Sequence, residues 1–380
     1  MLTISPNVGI YQSNNNINQN QSHGGYKKIS PMPFDSVSFK GTWFSEGNRF
    51  MGRKIVKAIK DHDKFAVLVH RNSDMDALGG ELALKRYIES IPGKVCDIFT
   101  EQPLQHNYKF IDPHGEIKVV RKNATAESLR KQFGTYDVAI SFDTAETKLH
   151  DPRLFDAFFK TAKVTADIDH HPKSGGEFAN ITLVDTSKKS GTLVLLEFFR
   201  SFFGGRKNMT RAISDPISAG AIGDTERLSK ITPEVIKDLT ILSKTSNLGE
   251  ILKRMTRMTR PELKVYNEAL DSVVFSKGQT IAHFQIDLKG RKVNPHKVVG
   301  DVMFTLGQVN SVQKYFGIIH DSTDPKAGIR ASVRSHKEPI RQAIQKLGGG
   351  GHDTACGLFK RKEETNPKKL ERALVRALAA

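Results

Sequence analysis

The chain has 380 residues, room for two or three domains with a sizeable core, and a formal net charge of +17 that favours polyanionic partners such as nucleic acid or nucleotides. Its two cysteines, Cys96 and Cys356, lie far apart and exclude a disulfide framework or a thiolate zinc site. No window of about 18 apolar residues is present, and the opening residues lack the basic-then-apolar pattern of a secretory signal, so no membrane partner and a cytoplasmic location are expected.

Residues 1–45 read as a disordered, Asn-rich N-terminal extension. Asn14 to Gln21 (NNNINQNQ) is polar and of low complexity, and cannot bury enough apolar surface to offset its ordering entropy. Order begins near Glu46. Helical periodicity over Phe50–Lys60 precedes a buried strand, Phe65–Val69. A helix from Ala77 to about Ser90 and strands at Lys94–Thr100, Val138–Phe142 and Val164–Ile168 follow. Ser187, Ser190 and Thr192 open an apolar helix, Leu193–Phe203, and the apolar stretch Ile217–Ile222 reads as one more strand, ending in Gly223-Asp224-Thr225. This alternation over residues 46–245 predicts an α/β domain with a parallel sheet and helices on both faces.

Thr232-Pro233-Glu234 is a helix start, a capping residue followed by proline at the first helical position. Residues 246–269 are helical in pattern and rich in Arg and Lys, as a linker between domains would be. A smaller α/β unit is expected over 270–380. Its strands read at Val273–Phe275, Ile281–Ile286, Tyr315–His320 and Gly328–Val333, and its helices near Lys297–Leu306, Pro339–Leu347 and Pro367–Leu378.

Chemistry-bearing residues recur at the strand ends of the first domain: His70, Asp74 and Asp76; Asp143; Asp169, His170 and His171; and Asp224. Parallel strands bring their carboxyl ends to one sheet edge, so these groups can converge. Singly, each Asp is as consistent with a helix cap or a turn. Together, so many carboxylates repel unless something cationic compensates them. A pair of divalent cations about 3.5–4 Å apart does so, and can also activate water and bind a phosphoryl oxygen. Mixed imidazole and carboxylate ligands suit manganese, zinc or iron.

The motifs HRNSDMDALGG, ISFDTAE, DIDHHP and AIGDTE, in that order, resemble those of the DHH phosphoesterase superfamily, named for Asp169-His170-His171. Val333–Ser335 (VRS) and Gly348–His352 (GGGGH) resemble its DHH-associated substrate-binding domain, and the likeness spans residues 50–360. It is greatest to the compact nanoRNase/pAp-phosphatase branch. The resemblance implies a mixed sheet in the C-terminal domain and two divalent ions, with manganese the family expectation. His70 and Asp74 would hold one ion and Asp76, His170 and Asp224 the other, with Asp143 bridging. Asp169 would orient the His170 ring, and His171 would face the scissile phosphate as ligand or proton donor. Arg334, Ser335, Gly349, Gly350, Gly351 and His352 would bind the rest of the substrate.

The implied activity is hydrolysis of short oligoribonucleotides to mononucleotides, of pAp to AMP, or both, by a hydroxide that the two ions activate. Alternatives are a cyclic di-AMP or linear-dinucleotide phosphodiesterase, a RecJ-like single-strand exonuclease, and a non-catalytic nucleotide- or RNA-binding module. A homodimer is compatible with the branch. Departures from the family pattern are Ser73 and Met75 in the first motif, Glu146-Thr147-Lys148 after the second, Glu226 and Leu228 in the fourth, and Asp353 and Cys356 after the glycines. None removes an expected ligand.

Overall fold

The computed structural model describes residues 44–173, 176–203, 209–324 and 326–379, and the backbone but not the side chain of His352. Most of the Asn-rich extension therefore lies outside the described residues.

Six strands, β1 (Lys64–Leu68), β2 (Val95–Thr100), β3 (Ile117–Val119), β4 (Val138–Phe142), β5 (Val164–Asp169) and β6 (Ile181–Val184), form an all-parallel sheet in the order β3-β2-β1-β4-β5-β6. The short edge strands β3 and β6 are absent from the sequence reading. Three or four half-exposed residues such as Ile117-Lys118-Val119 carry too little pattern to register.

The helices are α1 (Glu46–Asp61), α2 (Met75–Glu89), α3 (Ala126–Phe133), α4 (Pro152–Leu154), α5 (Gly191–Phe202), α6 (Arg211–Asp224), α7 (Pro233–Leu242), α8 (Leu248–Thr256), α9 (Arg260–Asp271), α10 (Pro295–Leu306), α11 (Arg341–Lys346) and α12 (Pro367–Ala379). The capping signal at Thr232 acts as expected, and a second cap appears at Thr259. The side chain of Thr232 accepts the Val235 N–H, and Thr259 with Glu262 forms a capping box at the start of α9.

Because strand side chains alternate in direction, β1 feeds two cores. Phe65 and Val67 point into a cluster with α1, α2, α5 and α6, while Ala66 and Leu68 point into a second cluster with Leu129 of α3 and Phe158 of a π-helical turn at Phe155–Phe159. All four are buried, and burial of each larger side chain contributes about 1.5–3 kcal/mol.

One expectation is corrected. Ile217–Ile222 is the inner part of helix α6, not a strand. A short apolar run does not distinguish a buried strand from a buried helix. Here Gly79 of α2 packs so closely on α6 that a Cβ at that position would lie 2.4 Å from the Pro216 carbonyl oxygen, an approach that small residues on both helices permit.

The second sheet is mixed. Strands β7 (Val274–Ser276), β8 (Ile281–Asp287), β9 (Lys314–His320), β10 (Ile329–Ser335), β11 (Gly350–His352) and β12 (Ala355–Lys360) run in the order β11-β12-β10-β9-β8-β7, with only β8 and β9 parallel. One face packs on α9 and α10 through Val265, Phe284 and Val302, the other on α11 and α12 through Phe316, Ile344 and Leu374. The glycine run is thus partly strand. No described helix is long and apolar enough to cross a membrane.

Candidate metal centre

The first sheet reverses its winding direction between β1 and β4, where a crevice opens at the carboxyl ends of the strands. His70 follows β1 there. Its Nδ1 lies 2.8 Å from the Arg71 carbonyl oxygen, which can only accept, so Nδ1 carries the proton and Nε2 keeps its lone pair. That Nε2 lies 3.9 Å from Asp74 Oδ1 and 3.8 Å from Asp143 Oδ2. Asp74 is also the N-cap of α2, accepting from the backbone N–H groups of Asp76 and Ala77. The cap and the site readings of Asp74 therefore hold together.

Asp143 follows β4 with φ +53°, a left-handed conformation that Asp tolerates better than most residues, and its N–H donates to the Ile168 carbonyl. Asp76 is fully buried. Its oxygens accept from Gly191 N–H (2.6 Å), Thr192 N–H (3.0 Å) and the Thr192 hydroxyl, all in the first turn of α5. Asp224 is the last residue of α6. An anion at the negative end of a helix is unfavourable unless a cation compensates it.

Three clusters have donor atoms within 4.8 Å of one another: His70, Asp74 and Asp143; Asp76, His170 and Asp224; and Asp143, Asp169, His170 and His171. His170 Nε2 stands 3.4 Å from Asp143 Oδ1 and 3.3 Å from Asp224 Oδ2. The site is electrostatically overloaded with acid. Burial, then Asp76 and Asp74, holds both Asp143 and Asp224 well above the usual carboxylate range. Burial and Asp74 push Asp76 up to about 6 despite the α5 hydrogen bonds, and burial with His171 lowers His170 to about 4. Asp143 Oδ1 and His170 Nε2 are buried and make no hydrogen bond. Orphaned lone pairs on carboxylates and neutral imidazoles, facing one another at these spacings, fit divalent cations.

Asp169 departs from its expected role. Its Oδ1 accepts from His171 Nδ1 at 2.8 Å and from the backbone N–H groups of His170 and His171, so it orients His171 and not the His170 ring. The His170 ring takes its support from the Lys188 backbone. Burial opposes ionisation of Asp169, yet His171 and Lys173 hold it well below the usual range. Burial would lower His171, but Asp169 and the neighbouring carboxylates raise it.

Several supporting residues are missed by sequence reasoning. The Lys173 ammonium lies 2.6 Å from Asp167, 2.7 Å from Asp169 and 2.9 Å from the Thr144 carbonyl oxygen. Its only sequence signal is a basic residue directly after DHHP. His150 bridges Ser141 and the Val69 carbonyl between the ends of β1 and β4.

A cleft of about 740 Å³ separates the two sheets' bodies. Asp74, Asp224 and Arg227 line it on one side, and Lys297, Tyr315 and Arg334 on the other. At its rim Glu226, Arg227 and Leu228 all have left-handed backbone (φ 48°, 59° and 69°), and the Arg227 guanidinium bonds Asp301 and lies 5.0 Å from the centre of the Phe304 ring. The departures Glu226 and Leu228 thus belong to a strained turn that ties the halves together.

Arg334 is held by the carbonyls of Val333 (3.0 Å) and Cys356 (3.4 Å) while facing the cleft. Ser335 also lines it, but its buried hydroxyl donates to the Glu338 carbonyl, which closes the turn after β10. Gly349, Gly350 and Gly351 are not among the described residues lining this cleft. At Gly349 a Cβ would lie 2.6 Å from the Gly357 carbonyl oxygen, and Gly351 has φ +136°, so both glycines are required by the hairpin itself. The His352 side chain lies outside the described residues.

Residues 64–221 match the model of the DHH family, N-terminal domain. Those residues form a DHH-family domain, and DHH-family members are phosphoesterases. Beyond this DHH domain the likeness extends along most of the chain. An uncharacterized protein of Mycoplasma genitalium is 26% identical over 310 residues, 79% of this chain and 87% of that protein. A probable bifunctional oligoribonuclease and PAP phosphatase, NrnA, of Streptococcus mutans is 21% identical over 316 residues, 80% of this chain and 92% of that protein. Among solved structures, an exopolyphosphatase-related protein from Bacteroides fragilis has the same fold, with a TM-score of 0.76 at 17% identity, covering 87% of this chain and 96% of that one.

Proposed function

We propose that this protein is a divalent-metal-dependent phosphoesterase that hydrolyses short oligoribonucleotides to mononucleotides, pAp to AMP, or both. The observation that carries the reading is the position of Asp143. Its two oxygens face the two imidazoles separately, Oδ2 toward His70 and Oδ1 toward His170, which suits a carboxylate shared by two ions. His70 and Asp74 would complete one position, and Asp76, His170 and Asp224 the other. Divalent ions bound there, manganese by expectation, supply Lewis acidity toward a phosphoryl oxygen and lower the pKa of water.

The chain's own groups account for the rest. The first turn of α5 fixes Asp76, and the Arg71 carbonyl fixes the His70 tautomer. Asp169 keeps a proton on His171 Nδ1 and aims that ring, with Lys173 holding Asp169 ionised. As water adds to phosphorus and the P–O bond to the leaving sugar breaks, His171, in its doubly protonated form, would give its Nε2 proton to the departing oxygen, and the proton released by the attacking water passes to solvent. Arg334, across the cleft, pairs with a second phosphate of the substrate. The likeness to the Streptococcus mutans oligoribonuclease and PAP phosphatase supports the choice of short substrates.

Product analysis tests this: purified protein with manganese, a labelled RNA ladder from two to about 24 nucleotides, and pAp. Mononucleotides from the shortest RNAs and AMP from pAp, with long strands spared, are expected. Processive degradation of long strands would replace the reading with a RecJ-like exonuclease. Absence of any product, with metal bound, would leave cyclic dinucleotides or a binding role.

A further inference from the structure

Beside the metal centre a side pocket of about 200 Å³ opens between the carboxyl ends of β1 and β2 and the start of α2. Its volume equals about six or seven waters, the size class of one heteroaromatic ring system and too small for a nucleoside together with its phosphates. Asp74 lines both this pocket and the interdomain cleft, as do Gln105, Tyr108 and His296. A ligand reaching from the centre can therefore place one end here.

The lining is polar but almost uncharged. Asn72, Gln102 and Gln105 supply three amides, and Leu78, Pro103 and Leu104 supply apolar wall. His296 Nε2 lies 3.1 Å from Arg330 Nη1, and because arginine only donates, that nitrogen accepts and the imidazole is neutral. Asp74, at the mouth, is the one carboxylate among the described lining residues. No lysine or arginine lines this pocket among the described residues.

The polar groups also keep capacity in reserve. Gln102 Nε2 donates to Asn72 Oδ1 at 3.4 Å, and Gln105 Oε1 accepts from Asn294 Nδ2 at 2.5 Å, so each amide spends one end and presents the other. Asn72 holds a left-handed backbone, φ +58°, that turns the chain at the pocket wall. A phosphate or polyphosphate tail would find no cation here. A planar ring with amide-like edges finds apolar faces and both donors and acceptors.

We infer that this pocket is a nucleobase subsite, which makes the substrate a nucleotide and not an inorganic polyphosphate. The inference rests on the phosphoesterase reading for the adjoining reaction, and base readout is assigned to Gln102 and Asn72. A site that hydrogen-bonds a ligand edge discriminates strongly against the analogue that lacks it.

The test compares binding of AMP and of ribose 5-phosphate to the full chain by calorimetry, with and without Gln102→Leu. Gln102 is exposed, so its replacement leaves the core intact. AMP is expected to bind at least tenfold more tightly than ribose 5-phosphate, and Gln102→Leu should shrink that ratio severalfold while ribose 5-phosphate affinity stays the same. Equal binding of the two ligands, or no detectable binding of either, overturns the subsite. So does a ratio that Gln102→Leu and Asn72→Gly both leave unchanged. Phosphoester cleavage measured in parallel separates the two claims. Turnover without a base preference sinks the subsite alone, whereas a base preference without turnover supports the subsite and sinks the phosphoesterase reading.

Discussion

Asp169 accepts a hydrogen bond from His171 Nδ1 at 2.8 Å and leaves the ring of its immediate neighbour, His170, to the Lys188 backbone. Adjacent histidines thereby receive different duties. His170 turns an orphaned Nε2 toward Asp143 and Asp224, while His171 is tied to a carboxylate that Lys173 neutralises.

Lys173 packs against Asp167 and Asp169, with 11% of its side chain exposed. Lys173→Met leaves two buried carboxylates without their cation. A stability loss of about 3–5 kcal/mol is expected in urea denaturation, together with a fall in turnover. A loss below about 1 kcal/mol would mean that the ion pairs contribute little.

Asp143→Asn keeps the shape and tolerates the left-handed backbone at that position. It removes one charge from a crowded, buried cluster. The metal-free melting temperature should rise, while the further rise on adding manganese and the turnover, by at least about a thousandfold, should be lost. A normal manganese-induced shift in the variant would rule out the shared-ligand role.

The acid cluster sets a pH dependence for the metal-free chain. Asp143 and Asp224 have folded-state values raised chiefly by burial, so over the window above the unfolded value the folded state holds more protons and stability falls as pH rises. His170, lowered to about 4, acts in the opposite sense, but only between about 4 and 6.5. Above pH 6.5 His170 no longer opposes the carboxylates, and His171, itself raised by Asp169 against burial, acts in their sense. Denaturation in EDTA should show stability decreasing from about pH 6.5 to 8, and saturating manganese should flatten the slope. Metal-free stability that holds level or rises over the range would contradict this.

Gly79→Ala places a methyl group 2.4 Å from the Pro216 carbonyl oxygen, a backbone atom that cannot swing aside. Separating α2 from α6 should cost about 1–3 kcal/mol and move Asp74 and Asp76 relative to Asp224. Weaker manganese binding in calorimetry, alongside the lower stability, is the expected pairing. Unaltered metal affinity would show that the helix contact does not set the site.

Two neighbours on β10 should behave differently. Arg334→Ala is expected to raise KM for pAp about tenfold or more with a smaller change in kcat. Ser335→Ala, which removes only a buried turn bond, should cost about 1 kcal/mol of stability and leave KM as it was. Equal KM effects from both would reassign the serine to the substrate.

By itself the sequence determined the alternation of strands and helices, the cap at Thr232, and the set of acidic and histidine residues at the mouth of the first sheet, because these are carried by local periodicity and by motif. Likeness of pattern also gave the expectation that Asp143 is the shared carboxylate, and it does lie between His70 and His170. Only the tertiary structure decided the rest. The environment of Ile217–Ile222 is apolar in either geometry, so packing against Gly79 was needed to make it a helix and to present Asp224 at a helix end. Whether Asp169 serves His170 or His171 depends on side-chain direction after β5, which spacing does not encode. Thr192 reaches Asp76 across the fold, Lys173 ties Asp169 to the Thr144 carbonyl, and two glycines at the β11 hairpin answer to close backbone approach. Contacts between residues distant along the chain arise from chain crossings, and a linear pattern holds no record of them.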